Sequence, residues 1–389
     1  MSDLIFNIQN NILKNIENAM PRVGIRNPMI GKGADDFRYD YPDDYFWTDS
    51  FFTGELWLAY MLTGKDKFKN QARMRYEHFE NIINNPLWHS HDLGFIFSLS
   101  AVADFKLTGS KKAYKLAIKA AETLRSRYNS HGRYIVAWNP GYCSEEQACQ
   151  IQGKIIIDCM QNLPLLMWAY RQTGIESFKE AAVNQAQTSQ KYLVRADYST
   201  YHSFDFDTST NKPIRGCTVQ GYADESCWSR GQSWAVHGFA QMYALTGNKD
   251  FLETSAKLSD YVIEHITEDL IPNFDYLIPD DVHPYKDSSA GAVTASGMLL
   301  LAFELNKLGE KDRALKYHDF GMKMLLALHD KCDVSTKEGS EGLLSHGASY
   351  VALGLKSGDH RLCDAMLPYG DYYYFEAILR AQGHHNLFW

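Results

Sequence analysis

One phrase recurs along the chain, an aromatic-bearing helix end closed by Thr-Gly with a further aromatic about a turn beyond it. It stands as Tyr60-Met61-Leu62-Thr63-Gly64 with Phe68, and as Phe105-Lys106-Leu107-Thr108-Gly109 with Tyr114. It returns as Tyr170-Arg171-Gln172-Thr173-Gly174 with Phe178, as Tyr243-Ala244-Leu245-Thr246-Gly247 with Phe251, and in shortened form at Leu308-Gly309. Each glycine falls where the end of a helix needs a residue tolerant of positive φ. The segments that follow, such as residues 112–121, are amphipathic with the helical period.

The repeating unit is therefore a helical hairpin, and the helix before each glycine is the more apolar, inner one. Inner helices are predicted near 50–62, 93–107, 157–172, 231–245, 290–307 and 369–381, and outer helices near 4–20, 65–85, 110–128, 175–194, 248–268 and 311–329. Twelve helices in six alternating pairs predict an all-α fold, an (α/α)6 barrel with a central cavity. A solenoid of hairpins competes, but its units would be nearly constant in length, and the glycine spacing varies widely. Strand-like patches such as 133–138 are short and lie in the long inserts. With no Pro/Ser-rich linker or composition break, a single domain over 1–389 is expected.

Composition removes several classes of function. Lys plus Arg total 39 against 47 Asp plus Glu, a net charge of −8, and no basic run exceeds a dipeptide, so nucleic acid is not an expected partner. The N-terminus has no cationic segment followed by an apolar run, and the longest apolar stretches, 163–170 and 298–303, fall short of a membrane span. The seven cysteines (Cys143, Cys149, Cys159, Cys217, Cys227, Cys332, Cys363) are odd in number and show no C-x-x-C spacing. They read as reduced thiols of a soluble, cytoplasmic protein. Whether the chain is a monomer or a homodimer is left open.

All inner helices of such a barrel run the same way, so their N-terminal ends open on one face. The loops entering them hold Tyr45-Phe46-Trp47-Thr48-Asp49, His89-Ser90-His91-Asp92-Leu93-Gly94-Phe95, Ile157-Asp158-Cys159-Met160-Gln161-Asn162, Trp228-Ser229-Arg230-Gly231-Gln232-Ser233-Trp234, Asp287-Ser288-Ser289-Ala290-Gly291 and Tyr369-Gly370-Asp371-Tyr372. Helix capping accounts for an Asp or Ser at each entry, Asp49, Asp287 and Asp371 among them. It does not account for Trp47, Trp228 and Trp234 beside charges. Asp158 follows Ile155-Ile156-Ile157, so it enters the cavity from apolar surroundings, where desolvation raises a carboxyl pKa and makes a proton donor. A capping Asp is the other reading. Asp92 is the second candidate carboxylate; the preceding His89-x-His91 lacks a third metal ligand at a recognisable spacing, so no metal is expected. Arg230 is either a fork for a substrate carboxylate or half of an ion pair with Asp224 or Glu225. Trp47 and Trp234 offer flat faces for a sugar ring. No phosphate loop, dinucleotide fingerprint or G-x-S-x-G elbow appears, so no cofactor is expected.

Taken together, His91-Asp92-Leu93-Gly94-Phe95, Ile157 through Leu166, Gln220-Gly221-Tyr222-Ala223-Asp224 leading into Trp228 through Trp234, and Tyr369 through Tyr373 resemble the unsaturated glucuronyl hydrolases, family 88 of the glycoside hydrolases. The resemblance runs from about Trp47 to about Arg380 and implies an (α/α)6 barrel. It implies removal of a C4=C5 unsaturated uronic acid from lyase-generated oligosaccharides of glycosaminoglycan type, by hydration of the enol ether. Asp158 would be the proton donor and then the base for water, Asp92 would hold ring hydroxyls and modulate Asp158, and His91, His202, Gln220 and Arg230 would contact the unsaturated sugar. Trp47 and Trp234 would be the stacking aromatics. Val219 stands where a His occurs in relatives, and the segment from His346 through Gly358 matches the sulfate-contacting segment only loosely. The rivals are an unsaturated rhamnogalacturonyl hydrolase, a sugar epimerase on the same barrel, which would need two facing histidines, and a non-catalytic sugar-binding protein.

Overall fold

A computed structural model describes residues 2–139 and 151–389. Cys143 and Cys149 lie outside the described residues. The recurring Thr-Gly phrase closes four helices: Gly64, Gly109, Gly174 and Gly247 have φ of 63°, 71°, 71° and 72°. The N–H of each donates to the carbonyl of the aromatic that opens the phrase, Tyr60, Phe105, Tyr170 or Tyr243, which satisfies a carbonyl the helix itself leaves unpaired.

The helices are α1 (Ser2–Val23), α2 (Phe51–Thr63), α3 (Asp66–Arg73), α4 (Tyr76–Asn84), α5 (Leu93–Phe97), α6 (Ala103–Thr108), α7 (Lys111–Arg125), α8 (Leu163–Thr173), α9 (Glu176–Tyr192), α10 (Ser229–Thr246), α11 (Lys249–His265), α12 (Ser288–Lys307), α13 (Lys311–Cys332), α14 (Val351–Ser357) and α15 (Pro368–Ala381). The inner set closes a ring. α2 packs on the segment joining α5 to α6, α5 on α8, α8 on α10, α10 on α12, α12 on α15, and α15 back on α2. α9, α11 and α13 cover α8, α10 and α12 from outside, and α1 covers α15 and α2. This is the (α/α)6 barrel, with the inner helices buried on nearly every side and the outer ones on one stripe. α12 alone among the described helices is long and apolar enough to cross a membrane, yet 94% of that window is buried inside the barrel.

Two expected helices are interrupted. The inner one at 93–107 carries a π turn over Ser98–Val102 between α5 and α6, where Ser100 Oγ bonds the carbonyl of Ile96 at 2.6 Å. The outer one at 65–85 breaks at Met74 and Arg75, because the Arg75 side chain turns inward to bond the carbonyls of Gly24, Arg26 and Gln71. The small strands are β1 (Ile30–Gly31) with β2 (Tyr39–Asp40), β3 (Tyr128–Asn129) with β4 (Tyr134–Ile135), and an antiparallel sheet of β5 (Lys154–Ile156), β6 (Ser203–Phe206) and β7 (Pro213–Cys217) in that order. The three-stranded sheet was not expected as such, since runs this short give little alternation to read. It positions the site, because β5 runs straight into the 3-10 turn Ile157–Gln161 that precedes α8.

The far end of the barrel is closed by the chain's last residues. The Trp389 ring lies parallel to Tyr373, with centroids 5.7 Å apart and planes at 6°, and its Nε1 donates to Glu376 Oε2 at 2.6 Å. Glu376 Oε1 accepts from His237 Nε2 at 3.0 Å, Ser296 Oγ at 2.7 Å and the Arg380 guanidinium at 3.0 Å. Burial pushes the Glu376 carboxyl up, but Arg380, His237 and Ser296 overcome it and hold the group well below the usual carboxylate range. Glu376→Ala leaves the buried Arg380 without its carboxylate and is expected to lower unfolding free energy by about 3–5 kcal/mol in urea melts. A loss under about 1 kcal/mol contradicts this reading of the network.

Candidate active site

Asp158 is set by the passage from strand to turn. Ile155 and Ile157 are fully buried beside it, and its own side chain is 11% exposed, with no hydrogen-bond partner for Oδ2 among the described residues. Burial drives its carboxyl pKa up, the His91 ring opposes this, the Asp92 charge adds to it and Arg230 opposes it, leaving the group at about 6. A carboxyl in this range keeps a protonated fraction near neutral pH and can donate a proton.

His202, just before β6, faces Asp158. Its Nδ1 accepts the backbone N–H groups of Val219 at 3.0 Å and Gln220 at 3.1 Å, which puts the ring proton on Nε2, 3.8 Å from Asp158 Oδ2. Burial, together with the charges of Arg230, Lys154 and His91, lowers the His202 pKa to about 3, so the ring is neutral. The Trp228 ring, with its centroid 4.4 Å away, covers the imidazole.

Asp92 sits at the entrance of α5 without capping it by its side chain. Ser90 Oγ donates to its Oδ2 at 3.1 Å and receives its backbone N–H at 3.1 Å. His91 Nε2 lies 3.2 Å from Asp92 Oδ1 but off the hydrogen-bonding direction, so neither ring nitrogen of this buried histidine has a hydrogen-bond partner among the described residues. His89 points elsewhere, to the carbonyl of Ile83 at 3.2 Å, so the two histidines do not converge on one point. The second and third helix entrances are locked together by the Phe95 N–H on Asn162 Oδ1 at 2.7 Å. Their approach requires Gly94, since a Cβ there would lie 2.2 Å from Asn162 Cα.

Capping describes Asp287, whose Oδ1 accepts the N–H groups of Ser289 and Ala290. Asp49 and Asp371 have other duties: Asp49 bonds His78 at 2.7 Å, and Asp371 accepts the Leu344 N–H at 2.9 Å and the Tyr39 hydroxyl.

Two expected contacts are corrected by the geometry. Arg230 is not a free fork for a carboxylate, nor is it paired with Asp224 or Glu225. Its Nη1 bonds Asp287 Oδ2 and the carbonyl of Ala348, both at 2.5 Å, its Nη2 bonds the carbonyl of Ser349 at 2.6 Å, and the side chain is 1% exposed. It holds the 346–350 segment in place, and its charge lowers the Asp158 pKa. Trp234 offers no face for a sugar, because it is 0% exposed and edge-packed by Phe95 and Tyr373. Trp47, by contrast, is partly open. It stacks on Tyr369 at 4.9 Å and borders a groove of about 330 Å³ that also takes in Tyr45, Trp88, Trp138 and Asp92. Gln220 reaches across the mouth to the carbonyl of Ser349 at 2.8 Å. Trp88 and Trp138 are groove residues that the sequence pattern does not single out. Tyr45 belongs to a recognised cluster, but no periodicity links it to Trp88 or to Trp138 in the insert.

The chain matches the model of Glycosyl Hydrolase Family 88 over residues 25–300. An unsaturated glucuronyl hydrolase of Bacillus sp. strain GL1 is 36% identical over 370 residues, 93% of each chain. An unsaturated chondroitin disaccharide hydrolase of Streptococcus agalactiae is 34% identical over 355 residues, 90% of this chain and 85% of that one. The crystal structure of the Bacillus sp. GL1 enzyme, described as responsible for the degradation of glycosaminoglycan, superposes with a TM-score of 0.90 at 33% identity, covering 100% of this chain and 99% of that one.

Arg230→Ala strands Asp287 and the carbonyls of Ala348 and Ser349. Thermal and urea unfolding of this variant should show a loss of about 3–5 kcal/mol. An unchanged Tm with only a raised KM would return Arg230 to the role of a substrate fork.

Proposed function

The chain belongs to Glycosyl Hydrolase Family 88, and we propose that it removes a C4=C5 unsaturated uronic acid from the non-reducing end of lyase-generated, glycosaminoglycan-type disaccharides by hydrating the enol ether. The observation that carries this reading is one buried carboxyl, Asp158, at about 6, facing a neutral histidine that offers an N–H. Ordinary glycosidases use two carboxylates about the anomeric carbon. An enol ether needs something different. A single acid protonates C4, positive charge spreads over C5 and the ring oxygen, and water adds at C5.

In this reading protonated Asp158 gives its proton to C4. The resulting carboxylate then stabilises the cation beside it and takes a proton from the attacking water. His202 Nε2, buried beside Asp158 and without a hydrogen-bond partner among the described residues, is the polar group that meets the sugar where it enters, and His91, buried and unpartnered beside Asp92, backs the same wall. Asp92, oriented by Ser90, receives ring hydroxyls, and its negative charge helps keep Asp158 protonated. The hemiketal opens and the second sugar leaves. Neutral His202 and the engaged Arg230 suit this chemistry, because neither competes for the Asp158 proton.

The leaving sugar is assigned to the groove beside Trp47 and Trp88. That surface is mostly aromatic, and burial lowers the His89 pKa, which disfavours its charged form there. The described lining of the groove holds Asp92 and no Lys or Arg. An unsulfated second sugar fits these surroundings and a sulfate does not. A cytoplasmic location is proposed on the cysteine pattern of the sequence, an odd number with no C-x-x-C spacing.

Asp158→Asn is expected to abolish turnover, read as loss of the ultraviolet absorbance of the unsaturated uronate, while leaving disaccharide binding intact. Retention of a tenth of wild-type kcat removes Asp158 from the donor role. Because the donor must carry its proton and its pKa is about 6, kcat/KM should fall as pH rises through that value. A profile flat from about pH 5 to 8 contradicts the assignment. Unsulfated chondroitin- or hyaluronan-derived disaccharides should exceed their sulfated counterparts in kcat/KM at least about tenfold, equivalent to roughly 1.4 kcal/mol for one unfavourably placed charge. Equal rates contradict the groove assignment.

A further inference from the structure

The sheet that positions Asp158 and His202 carries a second cluster that the hydration chemistry does not use. Lys154 on β5 is paired with Asp205 on β6, and Ser203, two residues earlier on the same face, is paired with Cys217 on β7. The Lys154 ammonium bonds Asp205 Oδ1, and its Nζ also lies 3.3 Å from Cys217 Sγ. The thiol is 3.4 Å from Asp205 Oδ2 and 3.1 Å from Ser203 Oγ. Amine, thiol and carboxylate therefore meet at one point, across the middle strand.

Cys217 differs from the other described cysteines in having a lysine against its sulfur. Burial pushes the thiols of Cys159, Cys227 and Cys332 up to about 12, which makes them poor nucleophiles. The lysine cluster has an opening to solvent, since the side chains of Lys154 and Asp205 are 12% and 21% exposed. Cys217 itself is 3% exposed, so an oxidant would reach its sulfur past these two side chains.

We propose that Lys154 and Cys217 form a peroxide-responsive cross-link, a covalent Nζ–Sγ bond that ties β5 to β7 across β6. In the first step a hydroperoxide oxidises the thiol to a sulfenic acid; the O–O bond breaks, and with hydrogen peroxide one water leaves. Lys154, after passing its ammonium proton through Asp205 to solvent, then attacks sulfur with its lone pair. The S–N bond forms as the S–O bond breaks, and the departing hydroxide takes a proton from nitrogen to leave as a second water. Thiol and amine together lose two electrons, and the peroxide gains them. A thiol reductant reverses the link by attacking sulfur and returning the amine. Val219 and Gln220, whose N–H groups fix the His202 ring, follow Cys217 by two and three residues, so the link also restrains the segment that aligns His202 with Asp158.

The test is treatment of the full chain with hydrogen peroxide followed by peptide mass mapping without reductant, reading the peptides of Cys143 and Cys149 separately. The expected result is one species joining the Lys154 and Cys217 peptides, lighter than their sum by about 2 Da for the two hydrogens lost, and absent after dithiothreitol. Lys154→Arg keeps the cation beside Asp205 but should give no joined species, and dimedone should label its Cys217 instead. In the wild type kcat should fall several-fold on oxidation and return with dithiothreitol, whereas Cys217→Ser should keep its activity in peroxide. The proposal is overturned if the wild type gives no joined peptide, or if Lys154→Arg gives the same mass change.

Discussion

Withdrawing Asp158 from water is the interaction on which the rest of the site depends. Moving its carboxyl from the ordinary range to about 6 corresponds to about 3 kcal/mol against the ionised form. The folded chain supplies that energy through core packing around the carboxyl, namely the buried isoleucines of β5 and its exit turn and the Trp228 ring over His202. The same desolvation keeps His202 neutral, so the two groups do not exchange a proton and cancel each other. A charged histidine 3.8 Å away would pull the carboxyl back down and remove the acid.

The barrel serves this desolvation by filling its own axis. At the far end Trp389, Tyr373 and the Glu376 network close the ring, so the open space lies at the mouth where the inner helices begin. Arg230 is the link between the two roles of the molecule. By holding Asp287 and two carbonyls of the 346–350 segment it builds the wall of the mouth, and its fixed charge limits how far Asp158 can rise. An arginine free to follow a substrate would make the acid's pKa depend on where that side chain happened to be.

Much of the ring is legible in the residues because its signal is local. A Thr-Gly closing a helix forces one backbone conformation, and four such endings at φ near 63–72° mark where hairpins turn. Asp158 is legible for a similar reason, since three consecutive isoleucines ahead of a carboxylate signal burial by their own apolarity. What stays hidden depends on distant parts of the chain. The partner of Arg230 is Asp287, 57 residues away, whereas proximity in sequence points to Asp224 or Glu225. Trp234 carries the same amphipathic signature as Trp47, and only its complete burial in the fold shows that no face is open. The β5–β7 sheet leaves no clear trace in the pattern because strands of three to five residues have too little alternation to distinguish from loop.

The central claim is that one acid delivers a proton to carbon, and the fate of that proton decides it. Turnover of an unsaturated disaccharide in heavy water, followed by proton NMR from the first minutes, should show the C4 vinyl signal disappearing in step with release of the second sugar. One deuterium should appear on a single face of C4. A vinyl signal that outlives release of the second sugar would mean that the bond breaks at the anomeric carbon, and would contradict the account.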